Sequence, residues 1–206
     1  MQWVLNNRYV FWLVLFMPSI PLWWDFYEDQ RYYAELMHES GVLSSQLLVI
    51  SLLITPLQLL AHKLPIRINQ STQKLLRWLR QRRRYIGVFA FYYGLIHTLV
   101  YIRYTGDLQN VLLEMAEWDL ALGWVAMVIF TALAITSNDY ATARLGRRWK
   151  TLHRLSYVAA ILTFVHWFVL DFFLWEVLTW FAPLLVLQFY RVFYSRRKRL
   201  ITSFSN

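Results

Sequence analysis

At 206 residues and 58% hydrophobic, with 11 Trp, 13 Tyr and 14 Phe, the chain is too apolar for an ordinary soluble domain and carries the aromatic load of a membrane-interface belt. The lack of cysteine excludes disulfides, thiolate metal ligation and iron–sulfur clusters. The formal net charge of +9 does not require a nucleic-acid partner, because the basic residues are sorted by side along the chain.

Residues 9–24 (YVFWLVLFMPSIPLWW) are the first apolar stretch. No small-residue cleavage site follows, so the stretch reads as a short first span containing Pro18 and Pro21. Further apolar runs cover roughly 42–61, 85–104, 119–137, 151–170 and 176–194. A spanning helix needs about 20 mostly apolar residues, which these approach or reach. Between the second and third runs, residues 72–80 (TQKLLRWLR) have the pattern of a short amphipathic helix lying on the membrane surface. A short turn containing Asp171 and Glu176 separates the last two runs. The runs are continuous rather than period-two, which argues for helices and against barrel strands. Internal repeats and low-complexity tracts are lacking. The expected fold is therefore all-α: a polytopic membrane bundle of about six transmembrane helices, with one membrane domain filling residues 1–206.

Lys63, Arg67, Lys74, Arg77, Arg80, Arg82, Arg83 and Arg84 cluster between the second and third runs. Arg144, Arg147, Arg148, Lys150 and Arg154 precede or open the fifth, and Arg191, Arg196, Arg197, Lys198 and Arg199 follow the sixth. Together with Arg8 they fall on one side, leaving only Arg31 and Arg103 of the 21 basic residues on the other. Of the 12 acids, only Asp139 shares the basic side. The positive-inside rule then puts both termini in the cytoplasm. The same charge attracts anionic membrane lipids.

Three histidines interrupt or adjoin these apolar helices: His97 in YYGLIHTLVY, His166 in LTFVHWFVL, and His153. An ionisable side chain at membrane depth is costly and marks a functional site by default. Imidazole is also the usual axial ligand of haem iron, which in a chain without cysteine would be held non-covalently. The third and fifth helices both enter from the basic side. His97 lies about 18 Å along one and His166 about 22 Å along the other, at 1.5 Å per residue. Matched depth on parallel helices suits a bis-histidine haem. The competing use of each ring is a hydrogen bond to a neighbouring helix. Gly94, one turn before His97, would let a flat macrocycle approach the backbone, or serve helix packing. Thr163 is placed to hold the other ring nitrogen of His166. Arg103 is placed to pair a haem propionate or to snorkel to headgroups.

His153 sits at the basic end among Arg147, Arg148 and Arg154, about 20 Å along the helix from His166, so the two cannot share one iron. The matching end of the third helix reads RRRY and offers no histidine. A second haem with another partner, a quinone headgroup or a flavin phosphate are the uses open to His153, with Arg147 and Arg148 beside it. His62 alone matches its depth. His38 is expected in the acidic outer loop, facing solvent.

The segments SGVLSSQLLVISLLITPL, RRRYIGVFAFYYGLIHTLVY and ITSNDYATARLGRRWKTLHRLSYVAAILTFVHW resemble the MsrQ (YedZ) family. Its members are the haem-binding membrane subunits of bacterial periplasmic methionine sulfoxide reductase systems, within the ferric-reductase-like transmembrane superfamily. The resemblance runs from about residue 38 to 195, and LGRRWKTLHRLSY with a second histidine further on is its most specific element. It implies b-type haem with His97, His166 and His153 as ligands. It also implies electron delivery to a periplasmic molybdenum-cofactor reductase, with the quinone pool or a flavin such as FMN as donor, and a multi-pass place in the bacterial inner membrane. The chain is then an electron-transfer subunit rather than the catalytic one. The acidic outer face, with Glu28, Asp29, Glu35, Glu39, Glu114 and Glu117, offers a surface for a partner with a basic rim. A stand-alone ferric or quinone reductase, and a non-redox transporter or assembly factor, are the rival expectations.

Overall fold

Backbone at membrane depth must satisfy its own hydrogen bonds, and among the described residues this chain does so with helices and no strands. The computed structural model describes residues 7–28, 33–63, 69–171 and 174–204; Asp29 and Arg67 of the expected charge clusters lie outside the described residues. In chain order the helices are α1 (Arg8–Phe16), α2 (Ser19–Glu28), α3 (Tyr33–Lys63), α4 (Gln70–Thr105), α5 (Leu108–Glu114), α6 (Trp118–Ile135), α7 (Asp139–Leu145), α8 (Arg147–Leu152), α9 (Leu155–Leu170) and α10 (Leu174–Phe204). Among the described residues, five segments are long and apolar enough to cross a membrane: Tyr33–His62, Gln70–Thr105, Trp118–Ile135, Arg147–Leu170 and Leu174–Arg197. The protein is a multi-pass membrane protein.

The first expected span is divided. Its halves, α1 and α2, contain 9 and 10 residues and are parted at Met17–Pro18. Pro18 has no backbone N–H to donate to the preceding turn. Ser19 Oγ–H donates to the Phe16 carbonyl at 2.7 Å, using an acceptor at the break. Tyr93 Oη–H reaches the Leu15 carbonyl at 2.9 Å and ties this corner to α4.

Residues 72–80 do not form a separate surface helix; they are the opening turns of the 36-residue α4. Asn69 caps it by accepting from Ser71 N–H, and the sequence offers neither Pro nor Gly over 70–84 before the apolar part, so the helix propagates. The extension also packs. Trp78 meets Phe11 edge-on at 5.2 Å, and the buried Arg82 guanidinium lies 4.5 Å from the Trp78 ring centre. At its far end α4 stops on Gly106, whose φ of 74° supplies the left-handed cap.

α3 is packed most extensively against α4, α6 against α9, and α10 against α3. The main core joins Val42, Leu48, Val49 and Leu52 of α3 to Ala90, Phe130, Ala159, Trp167, Val177 and Phe181. A second cluster, Leu36 with Tyr93, Ile96 and Val100, seals α3 to α4 nearer the acid-rich end. Ser44 Oγ–H donates across this seam to the Ala90 carbonyl at 2.8 Å. Leu99, Val125, Val128, Val186 and Phe189 are exposed, as side chains facing lipid should be.

Candidate functional site

Residues of α3, α4, α6 and α9, with Asp171 just beyond α9, line a cavity of about 640 Å³. That lies within the roughly 300–1,000 Å³ usual for small-molecule and cofactor sites. Its lining is mostly apolar, including Val42, Met127, Phe130 and Trp167, with His97 and His166 projecting from facing helices. The rings of His97 and His166 stand 6.4 Å apart, centre to centre, with their planes at 89°.

Hydrogen bonds define the state of both rings. His97 Nδ1 lies 2.7 Å from the Met37 carbonyl on α3, and His166 Nδ1 lies 2.8 Å from the Asp119 carbonyl on α6. A carbonyl can only accept, so each Nδ1 carries the proton and donates it. Each Nε2 therefore keeps a lone pair, the arrangement of an imidazole poised to bind a metal. The holder of His166 is thus a backbone carbonyl of a neighbouring helix and not Thr163, which lines the cavity without a described bond to the ring.

Two glycines make room for the rings. A Cβ at Gly41 would sit 2.9 Å from His97 Nδ1, and one at Gly123 would sit 2.8 Å from His166 Cε1. Gly94 also lines the cavity, but a Cβ there would first meet Ser44 Oγ at 3.1 Å, so its closest role is the α3–α4 contact. Sequence reading passed over Gly41 and Gly123 because neither is on the helix carrying the ring it accommodates.

His97 and His166 would be the residues to hold a haem iron in this cavity, as two neutral imidazoles. Metal–imidazole bonds of about 2.0 Å, with about 1.1 Å from each nitrogen to its ring centre, put the centres about 6 Å apart. The observed 6.4 Å is compatible with both rings reaching one metal, and the cavity they line has the volume of a cofactor site.

His153 is engaged differently. Its ring stacks on Trp149 with centres 3.9 Å apart, and its Nε2 lies 3.2 Å from Thr136 Oγ1. That hydroxyl donates to the Ala132 carbonyl at 2.7 Å, so His153 Nε2–H is the donor to it, leaving the lone pair on Nδ1. Trp149 Nε1–H donates to the Thr136 carbonyl at 2.8 Å and completes this corner. Arg147 and Arg148 are exposed on α8. Arg84, from α4, pairs with Asp139 at 2.5 Å. Arg103 is exposed in the last turn of α4 and does not line the cavity, a setting that fits headgroup contact better than contact with a cavity ligand.

His38 departs from expectation. It belongs to α3 and lines the cavity mouth, with Nε2 3.3 Å from Asp171 Oδ2. The signal available was spacing: His38, Gly41 and Ser45 recur at helical intervals on one face. His62 is exposed near the end of α3.

Residues 40–164 match the ferric reductase like transmembrane component family. Among curated proteins the chain is similar to the protein-methionine-sulfoxide reductase heme-binding subunit MsrQ of Rhizobium meliloti (strain 1021), 32% identical over 75% of this chain and 69% of that protein. Subunits of the same name from Enterobacter sp. (strain 638) and Cronobacter sakazakii are each 33% identical, over 78% and 77% of this chain and 75% and 74% of their own lengths. No solved structure matches the chain.

Proposed function

The chain belongs to the MsrQ family of ferric-reductase-like transmembrane components, and from that premise we propose that it is the haem-binding electron-transfer subunit of a methionine sulfoxide reductase system. The observation that carries this reading is the His97–His166 pair, 6.4 Å apart in an apolar cavity with both Nε2 lone pairs available. His97 and His166 would hold the iron, and the Met37 and Asp119 carbonyls would keep each imidazole in its ligating tautomer. Gly41 and Gly123 leave the rings their positions, while Val42, Met127, Phe130 and Trp167 exclude water. A b-type haem supplies a one-electron Fe(III)/Fe(II) couple whose potential responds to axial ligands and burial.

At the basic end, His153 with Arg147 and Arg148 is the proposed contact for the donor side, whether a second haem, FMN or a quinone headgroup. The aromatic platform of Trp149 under His153 supports a role there. His153 lies at the break between α8 and α9, 13 residues and roughly 20 Å from His166 at 1.5 Å per residue, so the donor must supply a carrier of its own or enter laterally from the bilayer as a quinone does. The acid-rich end, where Glu35, Glu39, Asp107 and Glu117 are exposed, is the proposed dock for a periplasmic molybdenum-cofactor reductase subunit. With α1 and α2 together making a sixth crossing, this orientation would put both termini in the cytoplasm of a bacterium and the bundle in its inner membrane.

The purified protein, expressed with ample haem, should show a b-type Soret band that shifts on reduction. His97→Ala and His166→Ala should each abolish the low-spin bis-imidazole spectrum. A spectrum unchanged in either variant would refute the pair as ligands, and a wild-type protein without the band would refute the redox reading.

A further inference from the structure

The cavity mouth carries a second group of metal-binding side chains that the paired imidazoles do not use. His38 on α3, Asp171 at the C-terminal cap of α9 and Glu176 in the first turn of α10 each bring one ligand atom within 4.8 Å of the others. Asp171 and Glu176 are near neighbours in sequence, and the tertiary fold brings His38 to them from α3.

The details favour a built site. His38 Nε2 stands 3.3 Å from Asp171 Oδ2. That is the edge of a tetrahedron whose metal–ligand bonds are about 2.0 Å, since the edge is about 1.6 times the bond. The Asp171 side chain is only 6% exposed, and Trp167 Nε1–H donates to the same oxygen at 2.5 Å, fixing the carboxylate. On the other side of the His38 ring, Nδ1 faces Glu39 Oε1 at 3.8 Å. At that distance Glu39 adds negative charge beside the ring without a hydrogen bond to it. His38 is half-exposed, which leaves a position open to water or to an incoming ligand.

We propose that His38, Asp171 and Glu176 form a divalent-cation site of the Zn²⁺ type at the acid-rich mouth of the cavity. One imidazole and two carboxylates with an open fourth position suit this ion. The bound ion would join α3 to the α9–α10 connection across the mouth, replacing the direct His38–Asp171 contact. This site stands independently of what occupies the cavity itself.

The test is Zn²⁺ binding to the full chain, purified in detergent with its native complement of cofactor, read by equilibrium dialysis with elemental analysis. About one ion per chain is expected, with affinity lowered about tenfold or more by His38→Ala and by Glu176→Gln. Both side chains are at least partly exposed, so these variants should fold; Asp171→Asn also loses part of its bond to Trp167 and serves as the third test. His62→Ala should bind as the wild type does. Zn²⁺ should raise the thermal unfolding midpoint of the wild type and leave that of His38→Ala unmoved, because only the folded site binds. X-ray absorption should report nitrogen and oxygen ligands only. Affinity unchanged by His38→Ala, binding lost instead in His97→Ala, or no binding at tens of micromolar Zn²⁺ would each overturn the proposal.

Discussion

Gly41 and Gly123 put the candidate site under steric control at the level of single atoms. A methyl group at either position lies under 3.0 Å from an imidazole atom, and neither ring can swing away without giving up its bond to Met37 or Asp119. Gly123→Ala and Gly41→Ala are therefore expected to lower haem content per chain and to shift the reduced-minus-oxidised α-band. Gly87→Ala is the control, because nothing lies within 4 Å of its new Cβ. It should leave the spectrum alone and stabilise the helix by about 0.5–1 kcal/mol. His97 and His166 stood out in the sequence as ionisable groups within apolar runs. Their partners did not, because a backbone carbonyl is present at every position and only the fold selects Met37 and Asp119. Thr163 was the nearest polar side chain on the same helix, which is the kind of partner that sequence spacing can suggest.

The individual helices follow local chemistry closely. Apolar length set α3, α4, α6, α9 and α10, and Asn69 and Gly106 mark the two ends of α4. Departures occurred where an apolar count is blind to the backbone. Pro18 divides the first stretch although its hydropathy is continuous, and the charged residues 82–84 carry α4 through a region expected to separate two elements. α3 likewise begins in the polar sequence YAELMHES, which moved His38 from a presumed loop onto a helix. Two substitutions test the elements. Ser44→Ala removes the interhelical bond to the Ala90 carbonyl and should cost about 0.6 kcal/mol, the average for such bonds in membrane helices. Gly106→Ala forces a side chain into φ +74° and should cost about 1–2 kcal/mol. Unfolding of the detergent-solubilised protein measures both, and the order of the two effects is part of the prediction.

For the whole molecule, charge sorting is the most consequential property. The basic clusters on α4, α7–α8 and α10 share one end, and the acids near α3, α5 and the α9–α10 connection share the other. The lack of cysteine makes the orientation directly measurable. In intact cells or right-side-out vesicles, Gln109→Cys should react with a membrane-impermeant maleimide, and Lys150→Cys should react only after permeabilisation; both positions are exposed. The reverse pattern would invert the proposed topology and remove the periplasmic dock from the acid-rich end.

By itself the sequence determined the helical class, the sorting of charge and the similar depth of His97 and His166. Each depends on properties local to the chain: hydropathy, side-chain charge and a fixed rise per residue. Only the tertiary structure decided which faces meet, because the rotation of a membrane helix about its axis is set by packing against its neighbours. That choice turned the two depth-matched histidines toward one another. It also set Gly41 and Gly123 beside rings carried by other helices, and brought His38, Asp171 and Glu176 together at the mouth of the cavity.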